Sequence, residues 1–340
     1  MNTTEPVAAA RASSGQDIFA DTLAEMTWFE IERAAKDGAV LLWAFGVIEQ
    51  HGPHLPTGTD VYLPQARLRD VKRVLAERGI QALIVPPYYW GVNVVSGAFP
   101  ASYRVRPELM KELMADVFAS FETDGFKRVF CFSGHGDALH NRTIHEGIGL
   151  GRERTQLDIS FVVDDALATR LGLALDNPRL TLQENETPPA FRFMQSTSSS
   201  PSAPELPDGA PPRYIDVHAG CWETSMMMCS CPALVREGER ATLKSTDYGP
   251  DDLAEWRKGF EHARRKTPLG YFGDPAAATA EDGRRSPARA AQLAPAAIEG
   301  RLVTPWRPQP ERHLSHPKEL SCPSPTSPSW KAATRNRSPR

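Results

Sequence analysis

Between Ala24 and Leu171 the hydrophobic pattern of this 340-residue chain switches repeatedly between helical spacing and short unbroken apolar runs. Helical spacing over 24–36 and 61–77 alternates with apolar runs at 38–48 and 81–87, which predicts helix, strand, helix, strand. The stretch PELMKELMADVFASFETDG places Pro107 at a helix start and Gly125 just past its end, with apolar residues three and four apart between them. It feeds into FKRVFCFSG, a strand ending at Gly134; a helix at 139–150 and the strand ISFVVDD at 159–165 complete a second crossover unit. Helices alternating with buried strands predict an α/β fold, a three-layer αβα arrangement around a mostly parallel central sheet.

The pattern then breaks. Residues 186–212, with SSSPSAP at their centre, are rich in Pro, Ser, Thr and acidic groups and read as a surface insertion or lid. From Tyr214, YIDVHAGCWETSMMM predicts a strand, a tight turn at Ala219 and Gly220, and a helix starting near Trp222. One amphipathic helix at 251–265 and a last one at 278–298 close a domain spanning 23–300. It is flanked by a disordered N-terminal segment, 1–22, and by a Pro/Ser-rich tail, 301–340, too poor in apolar residues to offset its chain entropy.

Charge refines this division. The tail holds eight Lys/Arg against two Asp/Glu, while the first 300 residues carry 31 against 40, so an acidic domain is followed by a basic tail. The tail lacks the clustered basic and aromatic pattern of a nucleic-acid binder, and no nucleic-acid partner is expected. Five cysteines, an odd number, and a start without a basic and apolar leader pattern point to a reducing, cytoplasmic location, with no run of membrane-spanning length.

The chemistry gathers at predicted strand ends. In LLWAFGVIEQHGPHLPTGTD, Leu41–Asp60, the apolar run is followed within a dozen residues by Glu49, His51, His54 and Asp60. Alternation along an extended chain sends Glu49 and His51 to one face, and Pro53 and Pro56 stiffen the loop that returns Asp60. His135 and Asp137 follow the second strand end, and His218 and Glu223 the third. Carboxyl ends of parallel strands collect ligands, so the three groups are expected to converge. Imidazoles mixed with carboxylates suit two borderline divalent ions, zinc or manganese with iron admissible, sharing a bridging carboxylate. Such a pair activates water and polarises a carbonyl, which predicts hydrolysis.

GVIEQHGPHLPTGTD resembles the signature of the creatininase (creatinine amidohydrolase) family, G-x-x-E-Q-H-G-x-H-L-P-x-x-T-D. SGHGD at 133–137, DVHAGCWETS at 216–225 and GYFGDPAAATAEDG at 270–283 are similar to later family segments and fall in the family's order. The resemblance implies a creatininase-like fold and a hydrolase of C–N bonds in a small, cyclic amide such as creatinine. It implies that Glu49, Asp60 and His135 hold one metal while His51 and the shared Asp60 hold the other, with Asp137 or Glu223 as the remaining carboxylate and Asp137 preferred. His218 matches the catalytic histidine, and Ser102, Gly136 and Tyr214 match positions near the substrate. Family members also cleave formamides, peptides and a keto-inositol ring, and they are homo-oligomers, often hexamers. GAFPASY at 97–103 departs from the usual F-P-G-T, so the pocket wall there is altered.

Two other classes fit these residues less well. A hydrolase using Cys221 or Ser225 as nucleophile with His218 as base lacks a G-x-S-x-G elbow, and a binding protein on a decayed site would not be expected to keep Glu49, His51, Asp60 and His135 together. His54 reads either as a partner orienting a ligand or as a turn residue, and His140 and His145 as structural helix residues.

Overall fold

Strand β1, Val40–Phe45, is buried at all six positions, as expected for a parallel strand covered on both faces. Leu41, Trp43 and Phe45 join one hydrophobic cluster while Val40, Leu42 and Ala44 join another, so the period-two alternation divides the core into two layers. The computed structural model describes residues 17–184 and 215–304. The predicted insertion at 186–212, Tyr214 and the tail beyond 304 lie outside the described residues.

Helix α1, Trp28–Lys36, starts at a capping box in which Glu30 accepts from the Thr27 backbone N–H at 2.7 Å. After β1 come α2 (Thr59–Glu77), β2 (Ala82–Ile84), α3 (Pro107–Thr123), β3 (Arg128–Ser133), α4 (Ala138–Arg154), β4 (Asp158–Asp164), α5 (Asp165–Arg170) and β5 (Leu180–Gln183). The five strands are parallel in the order β2-β1-β3-β4-β5. Met110, Met114 and Phe118 of α3 and Ile144 and Ile148 of α4 cover one face. Leu68, Val71 and Leu75 of α2, with Ala294 and Ile298 of the last helix, cover the other. The three-layer architecture expected from the sequence is therefore present. Because the chain leaves β1 toward β2 over one face and reaches β3 over the other, a crevice opens at the carboxyl ends of β1 and β3.

Among the described residues the remaining α-helices are α6 (Cys221–Ser230), α7 (Glu237–Arg240), α8 (Pro250–Trp256), α9 (Phe260–Lys266) and α10 (Ala280–Leu302). Two expectations need correction here. The single helix at 251–265 is two, broken where Gly259 and Phe260 take positive φ and the Phe260 N–H donates to the Val95 carbonyl at 3.1 Å. The strand predicted to carry His218 is only an isolated bridge to Phe272, with the Phe272 N–H donating to the His218 carbonyl at 2.8 Å. Strand β5 went unpredicted; at four residues it is too short to show a period. Residues 17–22 lie against the domain, Thr22 bridging to Ile84 and the Ile18 carbonyl accepting from Gln65 at 3.0 Å. At the far end Arg301 ties α10 to Asp158 at the start of β4, 3.1 Å from Nε to Oδ2. Among the described residues no helix is long and apolar enough to cross a membrane.

Candidate metal centre

Asp60 stands at the start of α2 with its backbone pinched between two strand ends. A Cβ on Gly46, just past β1, would fall 2.1 Å from the Asp60 carbonyl oxygen, and one on Gly134, just past β3, 2.5 Å from it. Only glycine permits that approach, and it delivers the Asp60 carboxylate into the crevice. There Asp60 Oδ2 lies 2.8 Å from His135 Nδ1 and Asp60 Oδ1 lies 3.2 Å from His51 Nε2. One carboxylate thus faces two imidazoles, one through each oxygen.

Glu49 completes the first group, its Oε1 being 3.1 Å from His135 Nδ1 and 3.7 Å from His218 Nδ1. Its other oxygen is anchored, accepting from Asn93 Nδ2 at 3.0 Å and from the Ser96 hydroxyl. Sequence reasoning passed over both residues, although Asn93 and Ser96 are the polar interruptions of the apolar stretch GVNVVSGAF and are buried. Buried polar side chains require partners, and that was the available signal. Glu223, in the first turn of α6, completes the second group with its Oε2 3.7 Å from His51 Nε2, steadied by the Ala219 N–H at 2.6 Å.

Asp137 does not join these groups. Its Oδ1 accepts from the Leu139 and His140 N–H groups at 2.7 and 3.3 Å, and its Oδ2 from the Val94 N–H at 3.0 Å. It caps α4, so of the two carboxylates expected to complete the centre the geometry brings in Glu223 and leaves Asp137 aside. The position just ahead of a predicted helix could have shown this. Ser102 also has other work: its hydroxyl accepts from the Gln50 N–H at 3.0 Å, and it is not part of the cavity wall. Gly136 does line the cavity, as expected. Tyr214 lies outside the described residues.

Two trios, Glu49/Asp60/His135 and His51/Asp60/Glu223, and a third, Glu49/His51/His218, each bring their ligand atoms within 4.8 Å of one another. His51 Nε2 is buried with no hydrogen-bond partner, while its Nδ1 faces the Glu49 carbonyl at 3.2 Å. A carbonyl can only accept, so Nδ1 carries a proton, and Nε2, facing the carboxylates, is the nitrogen that would bind an ion once its own proton is lost. The donor set is imidazole nitrogen and carboxylate oxygen, which fits a divalent ion of the zinc or manganese type.

The electrostatics call for positive charge. Burial opposes a charged His51, yet Asp60, Glu223 and Glu49 lift its pKa to about 10. Burial likewise opposes charge on His135, and Glu49 and Asp60 overcome it, raising its pKa well above the ordinary imidazole value. Burial also opposes ionisation of Glu49, but His135, His218 and His51 together hold its carboxyl well below the usual range. For Glu223 burial wins over His51 and His218, and its pKa is raised.

His218 rests its ring 4.4 Å from that of His51 and 5.8 Å from Trp256. Its Nε2 donates to the Gln50 carbonyl at 2.8 Å; the Gln50 amide lies 3.1 Å from the same nitrogen, but the carbonyl can only accept and so takes the proton. Nδ1 is left as an acceptor on the side of Glu49. His54 reaches Thr224 rather than any of the ligand atoms, Nε2 to Oγ1 2.8 Å. The alternative nucleophiles lack support: burial, with Asp216, pushes the Cys221 thiol up to about 12, and Ser225 Oγ accepts from the Thr279 N–H at 3.0 Å.

A five-stranded parallel α/β domain with a carboxylate–imidazole centre at the β1/β3 crevice defines the class of this protein. The chain belongs to the creatininase family: the family model described as creatinine amidohydrolase matches residues 24–298. It is 33% identical over 132 residues to creatinine amidohydrolase of Pseudomonas putida, a match spanning 37% of this chain and 48%, about half, of that relative. It is 27% identical over 282 residues to the mycofactocin precursor peptide peptidase of Mycobacterium tuberculosis, covering 79% of this chain and 86% of that protein. The fold is similar to a manganese form of creatininase, with TM-score 0.58, 21% identity and coverage of 84% and 99% of the two chains. It is also similar to a Zn–Zn form of a creatininase variant, with TM-score 0.55, 21% identity and coverage of 85% and 99%.

Proposed function

We propose that this protein is a dinuclear metal-dependent amidohydrolase, in which Glu49, Asp60 and His135 hold one divalent ion and His51, Asp60 and Glu223 hold the other. The observation that carries the reading is the double-sided presentation of Asp60, 2.8 Å from His135 and 3.2 Å from His51. When bound, the ions would supply Lewis acidity toward a carbonyl oxygen and ease the ionisation of water.

The chain's own groups do the rest. His218 Nδ1, an acceptor beside Glu49, takes the proton released as water adds to the amide carbon and returns it to the leaving nitrogen as the C–N bond breaks. The Gln50 carbonyl holds the ring in the tautomer that leaves Nδ1 open, 2.8 Å from Nε2. Trp256 and Trp222 wall the cavity near His218 and limit bulk water there. The products are a carboxylate and an amine.

Creatinine is one candidate substrate. A cavity of about 730 Å³ also favours larger amides, short peptides among them, a reading supported by the peptidase that resembles this chain over most of its length. Metal analysis of the purified protein, with hydrolysis assays on small lactams, formamides, cyclic ketones and short peptides before and after chelation, tests the proposal. Two ions per chain and chelator-sensitive, zinc- or manganese-restored turnover are expected; no metal uptake, or turnover indifferent to chelation, overturns it. Assembly into a homo-oligomer, proposed from family membership, is read by light scattering of the same sample.

A further inference from the structure

Gln50 offers His218 two partners of opposite kind at one nitrogen. Its backbone carbonyl lies 2.8 Å from His218 Nε2, and its side-chain Nε2 lies 3.1 Å from the same atom. Gln50 Oε1 accepts from the Gly52 N–H at 2.9 Å, which turns the amide NH2 toward His218. A carbonyl only accepts and an amide NH2 only donates, so the two partners demand opposite tautomers. With the carbonyl as partner the proton sits on Nε2 and Nδ1 is open. With the amide as partner it sits on Nδ1, on the side of Glu49 Oε1, 3.7 Å away.

The amide stays close in either case, because its oxygen is pressed from behind: a Cβ on Gly270, which takes φ +79°, would fall 1.9 Å from Gln50 Oε1. The backbone therefore decides between the two partners. The Gln50 N–H donates to the buried Ser102 hydroxyl at 3.0 Å, and the Tyr103 N–H donates to the Ile48 carbonyl at 3.0 Å. Ala101, just before Ser102, has φ +59°, a left-handed conformation that is costly for a residue with a Cβ. Arg264 anchors the same turn, donating to the Ala98 carbonyl at 2.7 Å and lying over Phe99 with Cζ 5.7 Å from the ring centroid. What the strained turn delivers is the Ser102 hydroxyl.

The neighbouring groups have supports of their own. The Glu49 N–H donates to the Thr57 carbonyl at 3.0 Å and its carboxylate is held by Asn93 and Ser96. The His218 backbone is bridged to Phe272. The Ser102 contact thus bears on the Gln50 backbone rather than on the ligands.

We propose that Ser102 is a positioning residue for proton transfer: by holding the Gln50 backbone it keeps the carbonyl, and not the side-chain amide, as the partner of His218 Nε2, and so leaves Nδ1 free to accept. The inference rests on the amidohydrolase reading and adds to it the group that sets the tautomer of the base.

The test is the tautomer of His218, read from long-range proton–nitrogen NMR spectra of the zinc-loaded protein labelled with nitrogen-15 histidine, at a pH where the ring is neutral. The wild type is expected to carry the proton on Nε2, Ser102→Ala to gain the Nδ1–H form, and Ser102→Thr, which keeps the hydroxyl, to match the wild type. Zinc content should be equal in all three. Turnover of creatinine and trialanine is measured alongside: for whichever is cleaved, S102A should lower kcat roughly tenfold with little change in KM, and S102T should restore it. Ser102→Cys, whose sulfur is a weak acceptor, serves as a milder variant should S102A not fold. An unchanged tautomer in S102A overturns the proposal, as does loss of zinc or a defect that S102T fails to repair, either of which would make the contact merely structural. A tautomer that switches in a protein without turnover would count against the amidohydrolase reading, whereas turnover with an unmoved tautomer would count against the role of Ser102 alone.

Discussion

His54 and Thr224, 170 positions apart in the chain, meet through Nε2 and Oγ1 at 2.8 Å and fasten the loop carrying His51 to the helix carrying Glu223. Burial, followed by the charges of His51, Arg240 and His218, depresses the pKa of His54 to about 4, so the ring is neutral at pH 7. Thr224→Val keeps the shape and removes the partner, stranding a buried nitrogen at a cost of about 1–3 kcal/mol. The expected result is a lower melting temperature together with weaker binding of one of the two ions. Unchanged metal titration would mean that the contact only holds the turn.

Removing ligands should separate the two proposed ions. Asp60 serves both trios, whereas Glu223 serves one. Asp60→Ala is expected to lose both ions and all turnover, and Glu223→Gln to retain one ion per chain. Metal content after dialysis decides this, and equal losses in the two variants would remove the bridging role from Asp60.

Ion binding should release protons. His51, with a pKa of about 10, and His135, raised well above its ordinary value, are both charged at pH 7 in the metal-free protein and must deprotonate to become ligands. Calorimetric titration with zinc in buffers of different ionisation enthalpy should show about two protons leaving per chain, with affinity rising as pH rises. Binding without proton release would contradict the ligand assignment.

The close approach at Gly46 is a steric prediction. A methyl group there would overlap the Asp60 carbonyl, 2.1 Å away, and backbone cannot swing aside as a side chain can. Gly46→Ala should therefore cost on the order of 1–3 kcal/mol and shift Asp60 out of reach of one imidazole. Denaturant unfolding and metal stoichiometry of the variant measure the two effects.

His140 predicts an acid limit to stability. Its Nδ1 accepts from the Val92 N–H at 3.2 Å and its Nε2 donates to the Phe45 carbonyl at 3.3 Å, an arrangement only the neutral ring can make. Burial, with the charge of His135, lowers its pKa from 6.5 to about 3. Because the folded value lies below the unfolded one, the stabilisation is complete above pH 6.5 and is lost as pH falls toward 3. About 2 kcal/mol should be gone by pH 5. His140→Asn, which keeps an acceptor for Val92, should flatten the slope of stability against pH between 6.5 and 5; an unaltered slope would assign the acid sensitivity to His54 and His145.

Much of this molecule is readable along the chain because its signals are local. The six apolar residues of β1, the Pro107 start of α3 and the Glu49, His51 and Asp60 spacing each depend on neighbours within a turn, a strand or one loop. The alternating pattern and the acid and imidazole residues at strand ends accordingly predicted the layers and most of the centre. Tertiary structure alone decided that Glu223 enters the centre while Asp137 caps a helix, that Asn93 and Ser96 grip Glu49, and that Ser102 holds Gln50. It also split one long amphipathic segment into α8 and α9 and brought His218 in on a bridge to Phe272 instead of a sheet strand. The reason is physical: periodicity records which face of an element is buried, but which carboxylate meets which imidazole depends on how far each crossover carries the chain before it returns.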